Sequence, residues 1–487
     1  MRISSIIPCV RNANGSGHEQ RRQTDGPGKD EVNRMNDFRK TAQEMLEFIR
    51  ISPTCFHAVA NIGRMLEAAG FQQLQEKEEW KLEKGGRYYT ERNDSSVIAF
   101  VIPEKEVGIR GFHMAAAHSD SPCFKIKEKP ELTVEEHYLR LNTEKYGGMI
   151  LSTWLDRPLS VAGRLAVKNG NGIEGRLVNI DRDLCVIPNV AIHMNREMNK
   201  GVEYNPQVDL LPLLADVSFD EYDAHTTYDA QTASENAEEQ PEAVEKPTLA
   251  ALAAETAGVD AETILGEDLF LYTRQEGKMI GAKGEFVLSP RLDDLQSAFA
   301  LTKAFTESTP AEYINVCAVF DNEEVGSGTR QGADSTFLED ILQRIAEGLQ
   351  ADHSMYLRWI ADSFLISADN AHAVHPNHPE KADPTNRPYL NGGIVIKYHG
   401  SQKYTTDGIS AARMKDYCER AKVPYQTYAN RSDIAGGSTL GNISTAHVSV
   451  SSVDIGLPQL AMHSAVETAG MKDTEYAVRA LKEFWGE

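Results

Sequence analysis

The sequence predicts an α/β fold: a mixed, mostly parallel sheet sandwiched by helices and interrupted by a β-rich insertion. Three observations carry this. Apolar β-type runs alternate with helical periods from Phe286 to the end of the chain. The same texture opens the chain between Phe38 and Ala117. Between them, roughly over 124–282, helical periodicity disappears and alternating segments with Asn-Gly turns take over.

Taken in order, residues 11–36 are polar, Gly-rich and aperiodic, and predict a disordered leader over 1–36. Phe38, Ala42, Met45, Leu46 and Ile49 fall on one helical stripe, and a second amphipathic helix runs from about Phe56 to Ala69, stopping at Gly70. Ser96–Ile102 and Gly111–Ala117 read as buried strands, with His113 packed in the core. In the insertion, the segments around LRLNTEKYGG, RPLSVAGRLAVKNGNG and EGRLVNIDRD predict antiparallel hairpins with turns at Asn169-Gly170 and Asn171-Gly172. Asp220–Lys246 holds nine acidic residues and one lysine, the composition of a flexible solvated loop. Thr248–Ala257 predicts a short helix. Beyond it come a run at Phe286–Leu288, a helix over Leu292–Thr306, and β-runs at Tyr313–Phe320, Phe364–Ser367 and Gly393–Tyr398. A helix near Gly408–Ala421, the runs VPYQTYA and SVDIGLP, and a last helix near Thr468–Phe484 complete the pattern. The division that follows is 37–123 and 283–487 as one split unit, with 124–282 inserted in it.

Composition narrows the function. The 487 residues include 50 Lys and Arg against 72 Asp and Glu, a net charge of −22. Such a chain lacks the basic field that nucleic acids and anionic membranes attract, so neither is expected as a partner. No run of about 18 apolar residues exists to span a bilayer. MRISSIIPCV is too short in its apolar part for a secretory signal. The six cysteines are scattered, with no C-x-x-C pair, as in a protein of the reducing cytoplasm.

Four separated segments end an apolar strand with a metal-binding side chain: His118, the pair Glu323-Glu324, Asp369 and His463. Asp293 stands at a helix start in SPRLDD. Sites in open α/β sheets gather at the carboxyl ends of strands. Two histidines and three carboxylates suit two divalent ions, with one carboxylate shared between ions about 3.5–4 Å apart. Asp120, two residues after His118, is placed to accept the ligand's other N–H. Of two adjacent glutamates, one can bind metal while the other serves as general base toward a metal-held water. Spacing alone does not separate Asp293 from Asp294.

The segments HSDSP (118–122), YGGMILSTWLDRPLSVAGR (146–164), SPRLDDLQSAF (289–299), FDNEEVGS (320–327), SADNAHAVHPN (367–377) and PQLAMHS (458–464) together resemble the M18, or aspartyl aminopeptidase, family, in order from about Phe38 to Trp485. The resemblance implies a zinc exopeptidase type of catalytic domain with an inserted dimerisation domain, and homo-oligomers built from dimers up to a tetrahedral dodecamer. It also implies a metal-dependent aminopeptidase that acts on peptides with a free N-terminus, preferring Asp or Glu; broad or neutral specificity on the same scaffold is the alternative. Two divalent ions are implied, Zn2+ first, with Co2+ or Mn2+ as substitutes. His118, Asp293 and Asp369 match the ligands of one ion; Asp293, as bridge, Glu324 and His463 match those of the other. Glu323 matches the general base and Asp120 the histidine-orienting carboxylate. Lys397 and Tyr404 match positions facing the substrate side chain. His193 resembles a histidine donated to a neighbouring subunit's site. His372, His375 and His378 read as loop architecture, not as a third metal site.

Overall fold

The computed structural model describes residues 29–104, 108–217, 248–437 and 439–487. The acidic stretch 220–246 and residues 1–28 of the expected leader lie outside them.

The central sheet has nine strands. Their order is Gln72–Gln73, Arg87–Arg92, Ser96–Val101, Ile314–Phe320, Phe112–His118, Phe364–Ala368, Ser451–Gly456, Ile394–Tyr398 and Tyr425–Ala429. The four strands from Ile314–Phe320 to Ser451–Gly456 run parallel, so their carboxyl ends emerge on one side. Phe320 pairs with His118, which brings the Glu323-Glu324 turn beside the histidine.

The residues of these four strands are nearly all buried because both faces are covered. Alternation divides the side chains between two cores. Ala115, Ala117, Cys317 and Val319 face the helices Lys29–Arg50, Cys55–Ala68, Leu292–Thr306, Gly408–Ala421 and Asp473–Trp485. Met114, Ala116, Val316 and Ala318 face Phe337–Gly348, His353–Ala361 and Leu440–His447.

A second sheet of six antiparallel strands spans Cys123–Thr273 in the order Gly172–Asn179, Leu159–Asn169, Ile264–Thr273, Cys123–Val134, Tyr138–Tyr146 and Leu213–Asp216. Its tight hairpin joins Asn169 to Gly172 through Gly170 at φ +58°, where the Asn-Gly pattern predicts a turn. Its own core includes Phe124, Leu141, Trp154, Leu165 and Leu269, closed by Leu249 and Ala253 of the helix Leu249–Ala257. Thr248 caps that helix through Ala251 N, and Gly258 ends it in the left-handed region.

Two expectations are corrected. The first helix begins at Lys29, inside the segment read as a leader to residue 36. Once the apolar stripe nucleates a helix, adding polar turns in front of it costs little. The last helix begins at Asp473, not Thr468; Glu467–Gly470 is a strand paired with Phe286–Ser289. Gly470 has no space for a side chain, since a Cβ there would press into the Asn391 backbone and the Asp473 carboxylate. The cysteines of the described residues are all unpaired. No helix among these residues is long and apolar enough to cross a membrane.

Candidate metal centre

At the carboxyl edge of the parallel strands the chain gathers His118, Asp293, Asp294, Glu323, Glu324, Asp369 and His463. One ligand atom each from His118, Asp293, Asp294 and Asp369 lies within 4.8 Å of the others. The same holds for His118 with Glu323 and Glu324, and for Asp293 with Glu324 and His463.

Asp293 stands between the histidines. Its Oδ1 is 3.6 Å from His118 Nε2 and its Oδ2 is 3.4 Å from His463 Nε2. Glu324 Oε2 is also 3.4 Å from His463 Nε2. Asp294 turns aside, its Oδ2 accepting from the His118 backbone N–H at 3.3 Å. Asp294 nevertheless shares the group with His118, Asp293 and Asp369, and what marks Asp293 is that its two oxygens face the two histidines.

Both histidines present the same nitrogen. His118 Nδ1 lies 3.1 Å from the Asp120 carbonyl and His463 Nδ1 lies 2.9 Å from the Gly148 carbonyl. A carbonyl only accepts, so each Nδ1 carries a proton, leaving each Nε2 as the atom that a bound cation would take. Asp120 therefore differs in detail from the expectation. Its main-chain oxygen takes the His118 N–H, while its Oδ1 stands 3.4 Å away. The carboxylate instead collects the backbone N–H groups of Glu323 and Glu324, both at 3.2 Å, and the Tyr146 hydroxyl at 2.7 Å.

Turns with left-handed backbone deliver the loop residues: Arg291 at φ +53° ahead of Asp293, Asn322 at +63° ahead of Glu323, and His463 itself at +66°. Such conformations concentrate at functional sites. Asn370 holds the loop after Asp369 by donating to Leu292 O and Gln459 Oε1, both at 2.9 Å.

The electrostatics call for a cation. Burial, together with neighbouring carboxylates, pushes Glu324 and Asp294 well above the usual carboxylate range and Glu323 up to about 7. Burial alone would keep His118 neutral, but Asp120 and Asp293 hold it well above the ordinary histidine value. Burial raises Asp293 too, yet the facing His118 and His463 outweigh it and draw it down. Asp293 Oδ1, Asp294 Oδ1 and Glu324 Oε1 are buried with no hydrogen-bond partner. Buried carboxylate oxygens without donors, beside two imidazole Nε2 atoms, fit a divalent ion, which would neutralise the acids and replace the imidazole protons.

Lys397 is buried, with Nζ 3.4 Å from Asp369 Oδ2 and 5.3 Å from the centre of the Tyr404 ring. His193 is not part of the cluster within this chain: it sits exposed on a turn after Val190 and Ile192. His375 and His378 face each other on the surface, 5.3 Å between rings, outside the ligand groups found among the described residues. Two participants escaped sequence reasoning. Glu467 accepts from Asp293 N at 3.0 Å and His463 N at 2.7 Å, clamping two candidate ligands with one carboxylate. Tyr146 reaches Asp120 from the six-stranded sheet. Pairing of Ser289 with Glu467 creates the clamp, and nothing local announces it.

The family model for aminopeptidase I zinc metalloprotease (M18) matches residues 48–485. The chain belongs to the M18 family. A probable M18 family aminopeptidase 2 of Clostridium novyi (strain NT) is 47% identical over 448 residues, 92% of this chain and 98% of its own. The corresponding protein of Pseudomonas savastanoi pv. phaseolicola (strain 1448A / Race 6) is 40% identical over 443 residues, 91% of this chain and 97% of its own. Among solved structures, Ape4 in its complex with Nbr1 superposes with a TM-score of 0.85 at 36% identity, covering 93% of this chain and 86% of that one. A dodecamer of mApe1 from S. cerevesiae superposes at 0.76 and 26% identity, covering 92% and 97%. This M18 chain is thus a metallo-aminopeptidase, a hydrolase of peptides, and the family description names zinc.

Proposed function

We propose that this M18 enzyme is a dinuclear aminopeptidase that removes the N-terminal residue of peptides with a free N-terminus, preferring Asp or Glu. The observation that carries the dinuclear reading is Asp293, whose two oxygens each face a different histidine Nε2, at 3.6 and 3.4 Å. His118, Asp293 and Asp369 would hold one ion, and Asp293, Glu324 and His463 the other. Bound there, two Zn2+ ions, or Co2+ or Mn2+ in their stead, supply Lewis acidity to the scissile carbonyl and make a water acidic enough to attack near neutral pH.

The remaining steps belong to the protein's own groups. Glu323 Oε takes the proton of the attacking water and hands it to the leaving nitrogen; a carboxylate raised to about 7 by burial suits both transfers. Asp120 positions Glu323 by accepting its backbone N–H. The Lys397 ammonium would pair with a substrate side-chain carboxylate, with Tyr404 packed beside it. A homo-oligomer built from dimers, reaching a tetrahedral dodecamer, is part of the proposal, as is a cytoplasmic location. Support for assembly comes from apolar side chains left in water around the six-stranded sheet: Ile173 is 67% exposed, Leu265 57% and Met194 82%. Met194 neighbours His193, in keeping with donation of that histidine to an adjoining subunit.

A specific contact favours the second reading, broad or neutral specificity. The Lys397 charge is already balanced by Asp369. One experiment separates all of these. Metal-stripped enzyme is reloaded with zinc, cobalt or manganese, its ions are counted by native mass spectrometry, and Asp-, Leu- and Lys-anilides are compared by kcat/KM. Two ions per chain with Asp preferred supports the proposal. A single ion defeats the dinuclear reading, and equal rates defeat the acid preference.

A further inference from the structure

One short segment, residues 146–153, leads out of the six-stranded sheet, touches His463 directly and reaches the surroundings of His118 through Asp120. Tyr146 closes the strand Tyr138–Tyr146, and its ring packs edge-on against Phe270 of the same sheet, centroids 5.6 Å apart. Its hydroxyl donates to Asp120 Oδ2 at 2.7 Å and accepts from Asn322 Nδ2 at 2.9 Å. Asp120 is the residue whose main chain fixes His118 and whose carboxylate fixes the Glu323-Glu324 turn. Two residues later the Gly148 carbonyl receives His463 Nδ1, and the Ile150 N–H donates to the His463 carbonyl, both at 2.9 Å. Thr153 Oγ1 then accepts from Ala465 N at 2.9 Å. The backbone passes so close to the cluster that a Cβ on Gly147, which has φ +79°, would stand 3.2 Å from Glu324 Cβ.

We propose that this segment is the positioning element of the metal centre: Tyr146 orders Asp120, and with it both His118 and the Glu323-Glu324 turn, while Gly147-Gly148 order the His463 side. The inference rests on the dinuclear reading and goes beyond it, because it makes the six-stranded sheet a determinant of metal affinity. Groups that orient metal ligands in this way are typically worth about 10–100-fold in affinity.

The test uses the full chain, stripped of metal, with Zn2+ titrated against a chromophoric chelator and Co2+ uptake followed by its visible spectrum. Reference variants His118→Ala and His463→Ala identify which binding event belongs to which half. Tyr146→Phe keeps the ring packed on Phe270 and removes only the hydroxyl. It is expected to weaken the event lost in His118→Ala by about tenfold or more and to alter the Co2+ bands of that half. The other event weakens as well, because Asp120 Oδ2 also takes the backbone N–H of its ligand Glu324, and the metal-free melting temperature does not change. Gly147→Ala is expected to weaken the event lost in His463→Ala instead. Unchanged affinities in Tyr146→Phe overturn the inference. So does a loss in Tyr146→Phe that comes with a lower metal-free melting temperature, or Gly147→Ala weakening the event lost in His118→Ala. If wild-type protein takes up two ions and Tyr146→Phe is normal, only this inference falls; if wild type takes up none, the dinuclear reading falls with it.

Discussion

The strand Phe112–His118 carries a histidine near each end, and the two could hardly differ more. His113 and His118 are 3% and 1% exposed, so burial does not distinguish them. His113 is stacked between Tyr313 and Phe484, at 3.7 and 4.5 Å between ring centres, with the Phe484 carbonyl 3.1 Å from its Nδ1. Burial pushes it down to about 4 and keeps it neutral. His118 meets Asp120, Asp293 and Asp294 and is held well above its ordinary value. One strand thus uses the same residue as packing at one end and as a candidate ligand at the other. Partners, not depth, decide the role.

Replacing each histidine breaks that comparison most directly. His118→Ala should abolish one metal-binding event and lower kcat/KM by more than about 10⁴-fold, since several kcal/mol of charge stabilisation go with the ion. Steady-state kinetics and native mass spectrometry check both halves of that statement. Intact turnover would strip His118 of its ligand role. Next in size, Glu323→Gln should retain both ions yet lose about 10³-fold in kcat, the range of a general base. Near-normal turnover with metal bound would remove Glu323 from that role.

At the apolar end the effect is on folding. An imidazole lowered to about 4 in the folded chain and ordinary when unfolded makes the unfolded state hold more protons between about pH 4 and 6.5. Stability contributed by neutral His113 is therefore full above pH 6.5 and lost as the pH falls through that window, by up to about 3 kcal/mol. Denaturant melts of wild type and His113→Phe at several pH values should diverge in slope only there. Parallel slopes would mean that His113 titrates normally.

The smallest expected effect concerns Lys397, which pairs with Asp369 at the same polar edge. Lys397→Met should lower the ratio of kcat/KM for Asp- over Leu-anilide by about tenfold if the ammonium meets substrate, the value of one charge-assisted contact. An unchanged ratio with both rates reduced would confine Lys397 to holding Asp369.

Much of this arrangement was legible because it is local. Each of His118, Glu323-Glu324 and Asp369 follows a buried apolar run, and parallel strands put such positions on one edge. What stayed hidden depends on pairing between distant segments. Glu467 reaches Asp293 because Ser289 and Glu467 are strand partners, and the same pairing turns Thr468–Gly470 from an expected helical turn into a strand. Tyr146 was visible within a longer motif, but its hydroxyl has a purpose only once the two sheets meet. The polar start of the first helix carried no apolar stripe and could not announce itself.

The order in which the polypeptide leaves the ribosome gives the site one more property. Its candidate ligands are spread from His118 to His463 in a chain of 487 residues, and synthesis proceeds from the amino end. The candidate centre therefore cannot close on a nascent fragment that stops short of His463. Until the ribosome has passed residue 463 the candidate centre lacks one of its two histidines.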